Sequence, residues 1–159
     1  MSRDFMDGQI TTEVTDENLA RQRLRLWLQM LKATRLVEGT LREKLRSGYD
    51  TTLPRFDVLA ALHAAPEGMK MSELSQHLVV SNGNVTGVVD RLVTEGLAER
   101  RNLETDRRAF VVSITDKGRA LMDEMAAEHL QWINAIFENV SEPDAARGIS
   151  IMLDIRHKG

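Results

Sequence analysis

The chain has 159 residues, of which 28% are charged, and its net charge at neutral pH is −3. This length suits one domain with added dimerisation elements. The sequence contains no cysteine, which excludes disulfides and thiol-based peroxide sensing. The N-terminus is acidic, and no apolar run approaches the roughly 18 residues of a membrane span. We therefore expect a cytoplasmic protein with no membrane partner.

The N-terminal third of the chain predicts one long helix. We expect residues 1–14 to form an acidic tail and a helix to run from Thr15 or Asp16 towards Arg46. Two apolar stripes cover much of this helix, so it should be buried on more than one side. The stripes are Leu24, Trp27, Leu28 and Leu31, and Leu26, Met30, Ala33, Val37, Leu41 and Leu45. Such burial in a small chain indicates a partner subunit, and we assign residues 15–53 to a dimerisation region.

A second helix and a helix-turn-helix pattern follow. Pro54 should open the second helix after a loop at residues 48–53. The inner face of this helix carries Phe56, Leu59, Ala60 and His63. From residue 69 onwards the sequence predicts a short helix capped by Ser72, a tight turn, and a longer helix capped by Ser81. Val85, Val88, Val89 and Leu92 share the buried face of the longer helix.

The opposite face of the longer helix is polar and contains two glycines. It carries Gly83, Gly87, Asp90, Arg91 and Thr94. Each exposed glycine weakens a helix by roughly 1 kcal/mol relative to alanine. Glycines on an exposed helix face despite this destabilisation indicate that another molecule approaches the helix closely. A helix that lies in a DNA groove would be approached in this way. The alternative, a helical hairpin packed inside an ordinary domain, does not explain the glycines.

A two-stranded hairpin should come next, with strands at residues 97–102 and 109–114 and a polar loop at 103–108. Arginines at a hairpin tip suit the narrow, electronegative minor groove of DNA. Asp106 would serve this purpose by holding Arg108 in a bidentate ion pair, while the alternative is a solvated charged turn. Residues 54–115 thus predict a winged helix-turn-helix that places one helix in the major groove and a loop in the minor groove.

Two more helices complete a fold that is mainly α with a small β-wing. One should follow Gly118 and continue through Asn139, and the other should restart at residues 141–143, Ser-Glu-Pro. Both carry regularly spaced apolar residues. We expect residues 116–159 to be dimerisation helices that interleave with the N-terminal helix of a second copy.

The charge distribution qualifies the DNA-binding prediction. Between Arg21 and Arg55 there are nine positive and three negative side chains, whereas residues 68–108 carry six of each. DNA affinity depends on where the cations lie rather than on the net charge of the chain. A neutral winged helix predicts few phosphate contacts, so its specificity should depend on direct contacts and on DNA shape.

These motifs resemble the multiple-antibiotic-resistance (MarR) family of regulators. The matching stretches are LSQHL at 74–78, NVTGVVDRL at 84–92, GL at 96–97, DRR at 106–108 and ITDKG at 114–118. The resemblance implies a homodimer that binds a pseudo-palindromic operator, represses transcription and releases DNA when a small ligand binds. Together, pattern and resemblance predict DNA contacts from Ser72, Ser81, Asn82, Asn84, Thr86, Gly87, Arg91, Asp106, Arg107 and Arg108.

Nothing in the sequence favours an enzyme. The four histidines are scattered without metal-ligand spacing, and there is no cysteine to complete a site. The sequence has no glycine-rich phosphate loop and no nucleophile elbow. We therefore predict no catalytic residue, no metal site and no cofactor.

The resemblance also implies an effector site between the dimerisation helices and the winged helix. The predicted ligand residues are Trp27, Met30, Leu31, Arg35, Phe56, His63, Arg42 and Lys44. Aromatic rings beside a basic segment favour an anionic aromatic, either a phenolic acid or its coenzyme A thioester, whose phosphates would meet surface arginines. Trp27, Phe56 and His63 could instead be core residues. A neutral phenolic drug-like effector, no effector at all, and a protein antirepressor are the alternatives.

Overall fold

The structure is a computed structural model that describes residues 4–78 and 84–157, with the side chains of residues 4–15, 107 and 108 not described. Within these ranges the chain forms six helices and three strands. They are α1 (Asp4–Tyr49), α2 (Leu53–His63), β1 (Met69–Lys70), α3 (Met71–His77), α4 (Val85–Thr94), β2 (Ala98–Leu103), β3 (Asp106–Ile114), α5 (Asp116–Ile136) and α6 (Glu142–Arg156). The predicted fold class, mainly α with a small wing, is confirmed.

The chain divides into two compact units, Met1–Thr40 and Leu41–Gly159. The first unit is the greater part of α1, which begins at Asp4 rather than at Thr15 or Asp16, so the predicted helix start was wrong. The segment before Thr15 contains no proline and a single glycine, Gly8, so no residue there forces the helix to end.

The second unit is built around α2. Thr52 caps this helix, because its Oγ1 accepts a hydrogen bond from the Arg55 amide at 3.4 Å, and proline follows in the first turn. The buried face includes Phe56 and Leu59, as predicted. It continues through Val58 and Leu62, whereas Ala60 and His63 are only half-buried. The predicted inner face is thus buried at Phe56 and Leu59 and partly covered at Ala60 and His63.

The sheet has three antiparallel strands in the order β1–β3–β2. The sequence did not predict β1, whose Met69 pairs with Val112 of β3. Strand β3 starts at Asp106, so the hairpin turn is confined to residues 104–105, and the predicted loop at 103–108 was too long. The register shifts between Asn102 and Leu103, which marks an irregularity close to the tip of the wing.

One continuous core joins the helices of the second unit to the sheet. Its fully buried side chains are Leu45, Val58, Leu59, Leu62, Leu74, Val89, Leu92, Val112 and Met125. These residues come from α1, α2, α3, α4, β3 and α5, so burial of apolar surface stabilises all of these elements together. The polar face of α4 is thereby held on a packed support rather than on a mobile loop.

The base of the wing is closed by two glycines. Gly96 has a φ of +73°, which allows the chain to leave α4 and enter β2. Thr115 Oγ1 donates to the Gly96 carbonyl at 2.7 Å and accepts from the Gly118 amide at 3.0 Å. A Cβ at Gly118 would lie 2.0 Å from the Leu97 carbonyl oxygen, so α5 packs directly on this backbone.

The last two helices lie at the surface of the second unit. Helix α5 ends at Ile136, short of the predicted Asn139, and α6 starts after Ser141, whose Oγ accepts from the Asp144 amide at 3.3 Å. No residue of α6 is buried. Its apolar side chains, Ile149, Ile151, Met152, Leu153 and Ile155, are exposed. Across the described residues, no helix is long and apolar enough to cross a membrane.

Candidate nucleic-acid interface

Helix α4 begins at Val85 with Asn84 as its N-cap. The Asn84 Oδ1 accepts a hydrogen bond from the Gly87 amide at 3.1 Å and so satisfies a free donor of the first turn. The prediction of Ser81 as the cap was therefore wrong. Ser81, Asn82 and Gly83 themselves lie outside the described residues, and their DNA contacts stay predictions.

Gly87 has a local structural explanation. A Cβ at this position would lie 3.3 Å from Asn84 Nδ2, which is tighter than an ordinary van der Waals contact. The glycine therefore leaves room for the capping amide. It is also exposed, so its backbone stays open to close approach by DNA.

The face of α4 opposite the core is polar and exposed, as predicted. Val89 and Leu92 are fully buried. Thr86, Gly87, Asp90, Arg91 and Thr94 are exposed. This arrangement presents backbone, hydroxyl and charged groups along one side of a rigid helix, the groups with which proteins contact DNA phosphates and base edges.

Helix α3 has a different cap from the one predicted. The helix starts at Met71 with Lys70 as the N-cap, and the Lys70 amide donates to Glu73 Oε2 at 2.8 Å. Ser72 is therefore the second helical residue and not the cap. Its side chain is exposed, and Leu74 packs in the core beneath it.

Helix α4, the candidate recognition helix, is joined to the wing by an ion pair that the sequence did not predict. The Asp90 carboxylate accepts a hydrogen bond from the Arg100 guanidinium of β2. The same guanidinium lies 5.3 Å from the centre of the Phe110 ring in β3. Asp106, at the start of β3, is exposed. The side chains of Arg107 and Arg108 lie outside the described residues, so the Asp106–Arg108 pair stays a prediction.

A groove of about 360 Å³ separates the N-terminal end of α2 from α4. It is lined by Thr52, Arg55, Asn84, Gly87, Val88 and Arg91. Arg55 also forms an ion pair with Glu95, just beyond the end of α4. Burial lowers the pKa of the Arg55 guanidinium, and the positive charge of Arg91 lowers it further. Two guanidiniums and the start of a helix thus face one groove, an environment that attracts anions.

The sequence profile of the MarR family matches residues 49–109, from the end of α1 through α2, α3 and α4 into the wing. A solved structure of a MarR family transcriptional regulator from Silicibacter pomeroyi superposes with a TM-score of 0.75 and 29% identity, covering 87% of this chain and 96% of the other. The chain is therefore similar to MarR family regulators, in sequence over residues 49–109 and in fold over most of its length.

Two other proteins resemble this chain over different shares of its length. The HTH-type transcriptional regulator PecS of Dickeya dadantii is 32% identical over 104 residues, which cover 64% of this chain and 63% of PecS. The structure of Bordetella bronchiseptica BpsR, whose DNA binding is regulated by 6-hydroxynicotinic acid, has a TM-score of 0.73 at 20% identity and covers 83% of this chain and 98% of BpsR. PecS and the Silicibacter pomeroyi protein are both named as transcriptional regulators.

Phe56, one of the predicted effector residues, is buried in an aromatic cluster. Its ring stacks on His129 of α5 with centroids 4.8 Å apart. His129 in turn lies 6.5 Å from Trp132, and Trp132 lies 6.4 Å from Tyr49. Burial lowers the pKa of His129, and burial with the neighbouring Glu128 carboxylate raises that of Tyr49 to about 12. The sequence showed the ring of Phe56 but not its partners, which come from distant parts of the chain.

The other predicted effector residues fall in both units. His63 is half-buried and its Nε2 lies 2.7 Å from Asp123 Oδ1, so it pairs with α5 at the surface. The first unit contains Trp27, Met30, Leu31 and Arg35. The second unit contains Phe56, His63, Arg42 and Lys44. Trp27 is 52% exposed. The effector site therefore stays a prediction.

Proposed function

We propose that this protein is a repressor that binds a pseudo-palindromic operator as a homodimer and is released by a small anionic aromatic compound. The single observation that carries the DNA-binding part is the exposed polar face of α4 beside a wing that is tied to it by the Asp90–Arg100 ion pair. A helix and a hairpin so arranged fit adjacent major and minor grooves.

Within this proposal Asn84, Thr86 and Gly87 contact bases or phosphates, and Arg91 contacts a phosphate. Arg91 lines the groove that contains Arg55 and the start of α2, which supports a phosphate there. Arg91→Ala should weaken binding to all sequences and reduce the slope of log affinity against log salt by about one. A loss of affinity at one operator position only, with an unchanged slope, would assign Arg91 to base recognition instead.

The homodimer is supported by apolar surface on both units. In the first unit Leu24 and Leu36 are 56% and 67% exposed. In the second, a groove of about 580 Å³ runs between the end of α5 and α6 and is lined by Ile133, Phe137, Val140, Asp144, Ala145, Gly148, Ile149, Met152, Leu153 and Arg156. Large contiguous apolar patches are rare on monomers and mark interaction sites. Ile149→Glu with Met152→Glu should therefore shift the protein from dimer to monomer in light scattering.

An anionic aromatic effector is supported by the basic segment from Arg21 to Arg55 and by the half-exposed Trp27. The regulation of BpsR by an aromatic acid, 6-hydroxynicotinic acid, provides a precedent within the fold. Thermal shift against a panel of aromatic acids, their coenzyme A thioesters and neutral phenols tests this directly. A ligand at about 100 times its dissociation constant should add about 2.7 kcal/mol to the free energy of unfolding.

The panel also distinguishes the alternatives. A shift with neutral phenols and none with acids would favour a drug-like effector. No shift with any compound, combined with tight operator binding, would favour a regulator that has no small-molecule effector.

A further inference from the structure

Asp90 and Arg100 join the recognition helix to the wing at the surface that would meet DNA. Asp90 lies on the exposed face of α4, and Arg100 is the third residue of β2. Their side chains are 54% and 36% exposed. A carboxylate on this face repels DNA phosphates, and its pairing with an arginine neutralises that charge.

Arg100 also contacts the strand that leads from the wing tip. Its guanidinium carbon lies 5.3 Å from the centre of the Phe110 ring, a distance typical of cation–π contacts. Phe110 lies in β3, which starts at Asp106, and pairs with Asn102 of β2. The Arg100 side chain is thus held on one side by α4 and on the other by the second strand of the wing.

We propose that Arg100 is a positioning residue that fixes the angle between α4 and the wing so that both fit the same DNA half-site. This inference rests on the DNA docking proposed above. The helix and the wing enter different grooves, and a rigid link between them makes the two contacts form together instead of independently. Loss of the link should therefore reduce recognition by the wing even though no wing residue is changed.

A direct role for Arg100 is the competing explanation. In that role Arg100 leaves Asp90 on binding and contacts a phosphate. The two roles predict opposite effects of Asp90→Asn. Loss of a positioning contact weakens binding and leaves the salt slope unchanged, whereas release of a phosphate-binding arginine tightens binding and steepens the slope by about one.

The experiment uses the full chain and duplexes that the wild-type protein selects from a random pool. Dissociation constants are measured at several salt concentrations for Asp90→Asn, Arg100→Gln and the double variant, on duplexes with A/T-rich or G/C-rich flanks beneath the wing. The DNA affinity of each single variant should fall about three- to fivefold, which is the range expected for loss of a partly exposed ion pair. The DNA affinity of the double variant should fall no further than that of the weaker-binding single variant. All three variants should show a weaker preference for the A/T-rich flank.

Arg101→Gln is the matched control. Arg101 is the next residue of β2, so its side chain projects from the opposite face of the sheet, where it contacts Ser113 and Glu99. The Arg101→Gln change removes the same charge as Arg100→Gln but leaves the contact between β2 and α4 intact. This variant should therefore keep the preference for the A/T-rich flank. The exchanged pair Asp90→Arg with Arg100→Asp should restore that preference, which a mere loss of folding would not allow.

Three results would overturn the positioning role. They are a loss of affinity in the double variant equal to the sum of the two single losses, an unchanged flank preference, and tighter binding by Asp90→Asn. Failure of the wild-type protein to select any duplex would instead contradict the proposed function itself, so the two failures are distinguishable.

Discussion

The rings of Phe56 and His129 are stacked, with their centroids 4.8 Å apart and their planes inclined by 28°. This contact joins α2, which supports the DNA-binding side of the second unit, to α5, the helix that leads away from the wing. Burial in this contact lowers the pKa of His129 below its ordinary value of 6.5, so the imidazole packs as a neutral aromatic ring. Protonation of His129 therefore opposes this packing.

The first prediction concerns pH and stability. Because the folded state binds the His129 proton less tightly than the unfolded state, the contribution of His129 to the free energy of unfolding should be constant above about pH 6.5 and become unfavourable as the pH falls below that value. His129→Phe keeps the stacked ring and should flatten this dependence. Denaturant unfolding between pH 5 and pH 8 measures it, with His157→Gln, a change at an exposed histidine, as the control. An equally steep fall in His129→Phe would assign the dependence to other groups.

A second prediction concerns the base of the wing. Gly118→Ala should destabilise the fold by roughly 1–3 kcal/mol or more, because its Cβ would lie 2.0 Å from the Leu97 carbonyl oxygen. Gly39→Ala is the matched control, since among the described residues nothing outside the neighbouring backbone of α1 lies within 4 Å of an added Cβ, and it should stabilise by up to about 1 kcal/mol. Thermal melting compares the two, and equal effects would show that the backbone contact at Gly118 is not tight.

These residues also show what a sequence can predict. The spacing of Val89 and Leu92 predicted the buried face of α4 because helical periodicity is local information. The cap could not be assigned in the same way, since Ser81 and Asn84 are both good capping residues and only the Gly87 amide distinguishes them. The two-residue strand β1 is too short to produce a period.

Pairs that meet only through tertiary packing were also beyond the sequence. Asp90 was placed on the exposed face of α4, but its partner Arg100 is fixed by how β2 packs on that helix. His129 and Phe56 lie on different helices, and neither carries a local signal for the other. The fold class could be predicted, whereas the contacts between α4 and the wing and between α2 and α5 required the structure.

The wing itself provides a third prediction. Arg108→Ala should weaken binding to many sequences, with the largest loss on A/T-rich flanks, where the minor groove is narrow and electronegative. Asp106→Ala should cause part of the same loss, although it removes a negative charge beside DNA, because we expect Asp106 to orient Arg108. Tighter binding by Asp106→Ala in a mobility-shift titration would show that simple repulsion dominates.

A fourth prediction separates the two proposed effector classes. A free aromatic acid needs one cation, whereas a coenzyme A thioester also needs a basic path for its phosphates. Arg42→Ala combined with Lys44→Ala should weaken DNA release by a thioester while leaving DNA affinity little changed. Each lost phosphate contact should cost about 1.5–3 kcal/mol if well formed, and less if exposed. If micromolar free acid releases the protein from DNA and the thioester does not, the coenzyme A proposal is wrong.

The central claim, a dimer whose two recognition helices read one pseudo-palindrome, is tested most directly by the stoichiometry of the complex. Light scattering of the protein at micromolar concentration, alone and with a selected duplex, should give two chains in both cases, bound to half-sites about 10 base pairs apart centre to centre. Two-fold symmetry of identical winged helices requires the half-sites to be inverted repeats, and one helical turn of DNA places both on the same face of the duplex. A monomer that binds a single half-site tightly would contradict the account.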